Sequence, residues 1–178
     1  MLGRLSCDSA EAESFYAIRI PHWTDDHIAD RCGPWIVDER LHAWGMPSYQ
    51  SEAAAAIDLH ACLDTPLTIP PASAPVLISA GFAVHMGDPH LAALVLPRSG
   101  MGHKRGLVLG NLVGLIDPDY TGPIMVSAWN RGTEPVVLTP GERFAQMMFV
   151  PVVRPVLRQV AAFSVNTARG AGGFGSTG

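Results

Sequence analysis

Short apolar runs separated by turn residues dominate the chain from residue 75 onward. In the run at 123–129, Ile124, Val126 and Ala128 alternate with other side chains and would share one face of a strand. Sequences rich in Gly, Pro and Asp lie between the runs and indicate turns. The predicted strands are 75–79, 91–96, 107–109, 123–129, 135–138 and 145–153. Their number and spacing predict an all-β fold, as a sandwich, jelly roll or barrel.

The first 45 residues follow a different pattern, and they hold three of the four tryptophans. A Thr-Asp-Asp sequence opens residues 24–31 and predicts a short capped helix. A strand is predicted at 15–20. Further on, Ser51 and Glu52 precede four alanines at 53–56, and this composition has good helix propensity. The local pattern thus separates this part of the chain from the β-rich remainder.

Composition and charge exclude several classes of protein. The 178 residues allow one domain or two at most. The formal net charge of −4 gives no general field for attracting nucleic acid or an anionic membrane surface. Hydrophobic residues make up 48% and charged residues 16%, which is too apolar for a disordered chain and favours burial between subunits. No apolar run approaches the roughly 18 residues of a membrane span.

Cysteine usage and missing motifs narrow the chemistry. Cys7, Cys32 and Cys62 form no Cys-x-x-Cys pair, so we expect neither a disulfide framework nor a zinc site. A reducing cytoplasm is the simplest compartment. The chain has no His-x-Glu with Pro-Cys-x-x-Cys, so zinc-dependent deamination of a base is not supported.

Residues 97–106 combine basic side chains, a serine and three glycines between two predicted strands. Glycine frees backbone N–H groups, and Arg98 and Ser99 add donors that suit a phosphate. The alternative is a solvated basic loop. The segment is not a Walker A loop, because it lacks the Gly-x-x-x-x-Gly-Lys-Ser/Thr pattern.

Residues 110–122 place apolar arms on both sides of 111–114, which predicts a hairpin. Asp117 and Asp119 flank a proline just beyond it. One interpretation points one carboxylate into a site and uses the other to cap a turn. The alternative is a plain Asp-Pro-Asp turn.

The last ten residues contain five glycines and cannot build a core. Phe174 in such an arm can stack on a base, and Arg169, Ser176 and Thr177 can hold phosphates. The alternative is a disordered tail without a role.

Five segments in this order resemble the five motifs of the trimeric dUTPase family, the dUTP pyrophosphatases of nucleotide metabolism. They are 56–61, 97–106, 110–122, 141–146 and 169–178. The resemblance runs from about residue 46 to the end and is nearest to the bacterial members. It departs at Ala56, where the family usually carries a glycine.

The resemblance implies an all-β subunit of the dUTPase jelly-roll, or β-clip, type. Three subunits would form a homotrimer with active sites shared between them. The chain would divide into an N-terminal segment of uncertain role (1–45), a β domain (46–161) and a flexible Gly-rich C-terminal arm (162–178). The family's first strand would be 15–20 or lie near 35–37. A loop would lead into a strand at 57–61, against the helix propensity of 53–56.

The resemblance also implies a reaction. The enzyme would hydrolyse dUTP to dUMP and pyrophosphate, with Mg²⁺ bound by the triphosphate, and so keep uracil out of DNA. Asp117 would be the general base for the water that attacks the α-phosphorus, and Asp119 would be a turn residue. Asn111 and Gly114 would belong to the hairpin that reads uracil, and Tyr120 would pack under the deoxyribose.

The remaining implied site residues bind phosphate, uracil or metal-bound water. Asp58 would reach the waters around Mg²⁺, and Phe174 would stack on uracil. The phosphates would be held by Arg98, Ser99, Gly100 and Gln146, and by Arg169, Gly175, Ser176 and Thr177 of the arm.

Two other functions compete with this interpretation. A dCTP deaminase-like enzyme shares the fold, although the uracil-type hairpin and complete Gly-rich tail favour dUTPase. A regulatory nucleotide-binding protein on a dUTPase scaffold belongs to a different class. Residues 1–45 would then be a partner surface, and otherwise an extra packed layer on the trimer.

Overall fold

The computed structural model of the protein describes residues 35–36 and 38–172. The strand predicted at 15–20 and the capped helix predicted at 24–31 lie outside these residues. The arm residues Phe174, Gly175, Ser176 and Thr177 also lie outside them.

Ten strands form two four-stranded sheets and one two-stranded sheet in the described part of the chain. The first sheet has the order β1 (Trp35–Ile36), β4 (Val76–Ala83), β8 (Pro123–Asn130) and β6 (Leu107–Leu109). The second has the order β2 (Ile57–His60), β10 (Arg143–Pro151), β5 (Leu91–Pro97) and β7 (Gly114–Ile116). A two-stranded sheet pairs β3 (Leu67–Ile69) with β9 (Val136–Leu138), and the two helices are α1 (Leu41–Trp44) and α2 (Ser99–Arg105). Every strand pair among these residues is antiparallel.

One hydrophobic core joins the two larger sheets. In β8, Ile124, Val126 and Ala128 are buried, whereas Met125 between them is 40% exposed. This is the alternation that the sequence predicts for the strand. Side chains of β2, β5 and β10 supply the other side of the same core, including Leu59, Ala93, Val95 and Met147. The all-β prediction is therefore confirmed.

All six predicted strands are present, with ends that shift by a few residues. The largest shift is in β4, which continues to Ala83 beyond a register irregularity after Ser79. Gly81 lies at that irregularity with φ +83°, and a Cβ built there would lie 2.3 Å from Cys62 Sγ. The close approach of Cys62 thus requires a glycine inside this strand.

The hairpin prediction at 110–122 is wrong in its pairing. β6 and β7 flank the turn, but β6 pairs with β8 in one sheet and β7 pairs with β5 in the other. The turn therefore crosses between sheets. Leu112 at its centre has φ +65°, and its N–H donates to Leu109 O at 3.1 Å. Apolar periodicity could not show this, because it gives the face of a strand and not its partner.

The basic segment 97–106 contains a helix where the sequence suggested a phosphate loop or a solvated loop. α2 spans Ser99–Arg105 and ends at Gly106, which has φ +72° and whose N–H donates to Met101 O. Gly100 and Gly102 lower its helix propensity. Contacts to other elements therefore stabilise a helix that the local sequence disfavours.

The four alanines at 53–56 form no helix, as the family resemblance implied. β2 begins immediately after them at Ile57, which forms a bridge to Tyr49. The N–H of Asp58 donates to Ser48 O at 3.3 Å. Tertiary pairing of this strand overrides the helix propensity of alanine.

The described part of the N-terminal segment packs on the domain. β1 pairs with Ala83 and Phe82 of β4, so one of the two predicted positions for the first strand contains a strand. Leu41 in α1 is fully buried. A Cβ built on Gly141 would lie 2.8 Å from the ring of Trp44, so that ring lies directly on the backbone there.

The chain leaves the β domain just after β10. The N–H of Val152 donates to His90 O at 2.8 Å, and residues 153–171 are exposed. No helix in the described ranges has the length and apolar character needed to cross a membrane.

Candidate active site

A cavity of about 710 Å³ opens where β2, β5 and β10 meet α2. Two kinds of residue line it. The polar ones are Gln50, Asp58, Arg98, Ser99, Gly100, Arg143 and Gln146, and the apolar ones are Ala54, Ala55, Ala56, Leu96, Met101 and Met148. Five residues predicted to bind phosphate or metal-bound water therefore lie together.

Asp58 is the acidic group of the cavity, and two arginines hold it. β2 places its side chain here with 6% of the residue exposed. Its Oδ1 accepts a bond from Arg98 Nε at 3.0 Å, and its Oδ2 accepts one from Arg143 Nη1 at 3.2 Å. Arg98 also donates to the backbone oxygen of Arg143 at 2.9 Å. Two guanidinium groups against one carboxylate leave net positive charge, which suits an anionic ligand.

Residues of α2 and β10 complete the polar lining of the cavity. Arg98 precedes α2 in an extended conformation, so Ser99 and Gly100 begin the helix at the cavity. A Cβ built on Gly100 would meet no described atom within 4 Å, so the space beside it is open. On β10, Gln146 lies opposite Asp58, and its Nε2 donates to Pro97 O at 3.0 Å. That bond ties the cavity floor to the end of β5.

His60 lies next to this charge cluster and was missed by the sequence reasoning. It follows Asp58 by two positions in β2, so both side chains point to the same face. It is 7% exposed, and its Nδ1 has no hydrogen-bond partner among the described residues. Burial, and then the charge of Arg143, lower the pKa of His60. The two-residue strand period is the signal in the sequence that could have indicated this position.

Gln50 and Arg143 were also missed as site residues. Arg143 Nη1 donates to Gln50 Oε1 as well as to Asp58. The arginine belongs to the fourth motif, so its presence at the site had a signal in the sequence. Gln50 had none, because only the fold brings the 47–56 loop against the start of β10.

A second group of predicted site residues lies on β7 and in the turns before and after it. Gly114 pairs with Val95 of β5, and a Cβ built on Gly114 would lie 3.8 Å from Asn111 Nδ2. Beyond β7, the N–H of Tyr120 donates to Asp117 O at 3.1 Å. Asn111, Asp117 and Tyr120 are exposed.

Asp117 of the second group lies far from Arg98 of the first within one chain. Ile116 pairs with Ala93 of β5, so Asp117 lies beyond it toward the start of that strand. Arg98 follows the other end of β5. At the rise of a β-strand, about 3.3 Å per residue, the two positions are roughly 20 Å apart along the strand. One phosphate group cannot contact both side chains.

The described part of the C-terminal arm adds one predicted residue. Arg169 is exposed, and its Nε donates to Gly172 O at 2.9 Å within a local turn. The cavity lining among described residues does not include it. The binding roles predicted for Phe174, Gly175, Ser176 and Thr177 remain predictions, since these residues lie outside the described ranges.

Comparison with known proteins gives a consistent result. The family model for dUTPase matches residues 42–178. Deoxyuridine 5'-triphosphate nucleotidohydrolase of Ralstonia nicotianae is 58% identical over 143 residues, which cover 80% of this chain and 95% of that protein.

Solved structures share the fold. The dUTPase of Staphylococcus bacteriophage 80alpha, solved with dUpNHpp, matches with a TM-score of 0.68 and 24% identity over 82% of this chain and 96% of that one. A mutant dUTPase from phage phi11 of S. aureus, whose structure concerns the coordination of a structural Mg(II) ion, matches with a TM-score of 0.65 and 20% identity. That match covers 74% of this chain and 97% of the phage chain.

Proposed function

The chain belongs to the dUTPase family, and we propose that it hydrolyses dUTP to dUMP and pyrophosphate. The positively charged cavity around Asp58 supports this proposal, because residues from three of the family motifs converge on it. The reaction removes dUTP from the nucleotide pool and so keeps uracil out of DNA. A cytoplasmic location, which the cysteine content favours, is part of the proposal.

We infer that the working enzyme is a homotrimer with shared active sites. The separation of Asp117 from Arg98 within one chain carries this inference. A second subunit can bring its Asp117 to the first subunit's phosphate cavity. Exposed apolar side chains beside β7, among them Leu112 (74%) and Leu115 (63%), provide surface for such an association.

The phosphates are assigned to the cavity and the arm. The planar guanidinium of Arg98 and the groups of Ser99, Gly100 and Gln146 line the cavity where a triphosphate would enter. Arg169, Gly175, Ser176 and Thr177 would close over the same phosphates from the arm. Exposed apolar residues between β10 and Arg169, including Leu157 (90%) and Phe163 (88%), give this part of the chain the means to pack on a neighbour.

Asp117 is the proposed general base. Its carboxylate takes a proton from water as the water oxygen bonds to the α-phosphorus. The bond from that phosphorus to the bridging oxygen breaks, and pyrophosphate leaves with the bonding electrons. The exposed position of Asp117 lets it face a phosphate held by another subunit.

Asn111, Gly114 and Tyr120 are the proposed residues for base and sugar recognition. The amide of Asn111 offers a donor and an acceptor, as the uracil edge requires. The hydroxyl of Tyr120 donates to Pro123 O at 3.0 Å, and the ring lies over Gly122, where an added Cβ would come 2.7 Å from the ring carbon Cζ. A ring fixed in this way can exclude a 2′-hydroxyl by contact. Phe174 would stack on the uracil.

The cavity fits a magnesium ion carried by the triphosphate. Mg²⁺ prefers oxygen ligands and keeps several waters, so a single carboxylate facing those waters is sufficient. Asp58 lines the cavity, and each of its carboxylate oxygens keeps lone-pair capacity beyond its arginine bond. When bound, the ion neutralises charge on the phosphates. Asp58 would orient its waters.

The N-terminal segment is proposed to be an extra packed layer on the trimer. Buried Leu41 and the contact of Trp44 with Gly141 support this role for its described part. Residues 46–161 would then form the catalytic β domain, and 162–178 the arm.

The test is pyrophosphate release from dUTP, with dCTP, dTTP and UTP alongside, each with and without Mg²⁺. We expect fast release from dUTP alone and a strong requirement for Mg²⁺. Ammonia release from dCTP would instead identify a deaminase. Binding of dUTP without any release would identify a regulatory protein and contradict the proposed reaction.

A further inference from the structure

Arg105 attaches the C-terminal end of α2 to the rest of the domain. Its guanidinium donates to the Glu142 carboxylate and to the backbone oxygen of Val137 in β9. The same group lies 3.6 Å from Met101 Sδ, one helical turn earlier. One side chain therefore joins the last turn of the helix to β9 and to the turn before β10.

Glu142 is itself held in place. Its Oε2 accepts bonds from the N–H of Thr139 at 3.0 Å and from the Thr139 hydroxyl at 3.2 Å. Burial acts to raise the pKa of Glu142, but the Thr139 bonds and the charge of Arg105 outweigh it and lower that pKa. Arg105 thus meets a charged carboxylate with a fixed orientation.

The N-terminal end of α2 is attached to Arg143, the residue that follows Glu142 in the chain. Arg98 immediately precedes the helix and binds Asp58 and the backbone oxygen of Arg143. Glu142 and Arg143 are consecutive, so both ends of the helix are tied to one short stretch of chain. A helix of seven residues that contains two glycines is not stable by itself, so its position depends on these attachments.

We propose that the Arg105–Glu142 pair is a clamp that holds α2 in position. The clamp would keep Ser99 and Gly100 correctly placed, relative to Asp58, to bind the triphosphate. The proposal rests on the proposed function, because the groups being positioned are the phosphate-binding ones. Arg105 and Glu142 do not line the cavity. They act through the helix and are positioning residues for binding the phosphates.

The test compares Glu142→Gln with the wild-type full chain. The amide keeps an acceptor for Thr139 but loses the charge that holds Arg105. We expect the Kd for dUpNHpp, measured by calorimetry, to rise by about tenfold, because a small misplacement of binding groups has large effects. The Kd for deoxyuridine, which has no phosphates, should change by less than about twofold in an NMR titration, because clamp loss perturbs phosphate contacts alone. A variant that only loosened the whole fold would weaken both.

Two further variants sharpen the result. Arg105→Lys keeps the charge with fewer donors, so its affinity for dUpNHpp should fall between the other two proteins. Asp64→Asn removes a surface ion pair away from the cavity, Arg40 Nη1 to Asp64 Oδ1 at 2.8 Å, and should change neither affinity. Wild-type affinity for dUpNHpp in Glu142→Gln, or equal weakening toward both ligands, would overturn the clamp.

A measurement without nucleotide separates the clamp from the proposed function. Amide hydrogen exchange in α2 should be faster in Glu142→Gln than in the wild type, whatever the chain binds. Unchanged exchange there overturns the clamp even if dUTP is hydrolysed. Faster exchange in a protein whose wild type does not bind dUpNHpp overturns the proposed function and keeps the mechanical role of the pair.

Discussion

The two ends of β5 carry chemistry of opposite character. At the end near Arg98, the polar groups are held by hydrogen bonds. Asp58 is buried between two guanidinium groups, and Gln146 donates a hydrogen bond to Pro97 O. Beyond the start of the strand, Asp117 is exposed. The polar groups at the Arg98 end are already held in place within one chain, whereas Asp117 at the other end is exposed at the surface.

This difference has a physical reason. A pocket for a polyanion must hold its cations in place before the ligand arrives, and ion pairs with a buried carboxylate achieve that within one chain. A base that acts on a phosphate bound by another subunit has to stay at the surface until the subunits associate. The exposure of a carboxylate that can act as a base is therefore evidence that the site is completed by another subunit.

Replacing Asp117, the proposed base, should have the largest effect. Asp117→Asn should lower kcat for dUTP hydrolysis by about 10²- to 10⁴-fold, because the water loses its proton acceptor. Calorimetry should still detect binding of dUTP. Asp119→Asn is the matched control, two positions away, and should keep most of the activity. Normal turnover by Asp117→Asn would remove that residue as the base.

Mixing inactive variants tests the comparison directly. If Asp117 and Arg98 act in the same site from different subunits, Asp117→Asn and Arg98→Ala chains that are unfolded together and refolded should form mixed trimers. About one quarter of the sites would then carry both intact residues, because subunits assemble at random around the symmetry axis. Recovery of activity on mixing is the expected result. Mixtures as inactive as their components would place both residues in one chain's site.

Neutralising the buried carboxylate should have a moderate effect on stability. Asp58→Asn leaves the guanidinium groups of Arg98 and Arg143 without their counter-charge. Because those side chains are 30% and 42% exposed, solvent offsets part of the loss, and we expect a decrease of about 1–3 kcal/mol in the free energy of unfolding. Urea unfolding measures it. Asp64→Asn, whose carboxylate is 95% exposed, should change the stability by less than about 0.5 kcal/mol.

The smallest expected effect concerns an ion pair outside both ends of β5. The hydrogen bond and charge of Arg40 lower the pKa of Asp38 from 3.8 to about 2. A carboxyl group with a lowered folded-state pKa stabilises the fold above pH 3.8 and loses that contribution as the pH falls toward 2. Wild type should therefore be more stable than Asp38→Asn at pH 6, and the difference should shrink at pH 3. An equal difference at both pH values would contradict the linkage.

Much of the fold was available in the sequence. The apolar alternation in β8 predicted which side chains enter the core, because the two-residue period of a strand is a local property. The ordered motifs predicted the family. They also assigned Arg98 and Gln146 to the phosphates and Asp58 to metal-bound water, and these three residues line one cavity.

Other features depended on contacts between distant residues. α2 is helical despite its two glycines because Arg98 and Arg105 anchor its ends. The alanines at 53–56 form no helix because β2, which follows them, pairs with β10. The turn at 110–113 joins two sheets instead of closing a hairpin. Neither the propensity of a residue nor the period of a segment carries information about its partner.

The sequence by itself determined the residue types of the site and the faces of its strands, since both follow from local chemistry. Only the tertiary structure decided which of those residues share a chain's cavity. Strand register places Asp117 and Arg98 toward opposite ends of β5, and register is set by backbone pairing across the sheet. The pairing of β2 with β10 puts Arg143 beside His60, and the position of α2 puts Arg105 beside Glu142, so burial and charge act between groups far apart in the sequence.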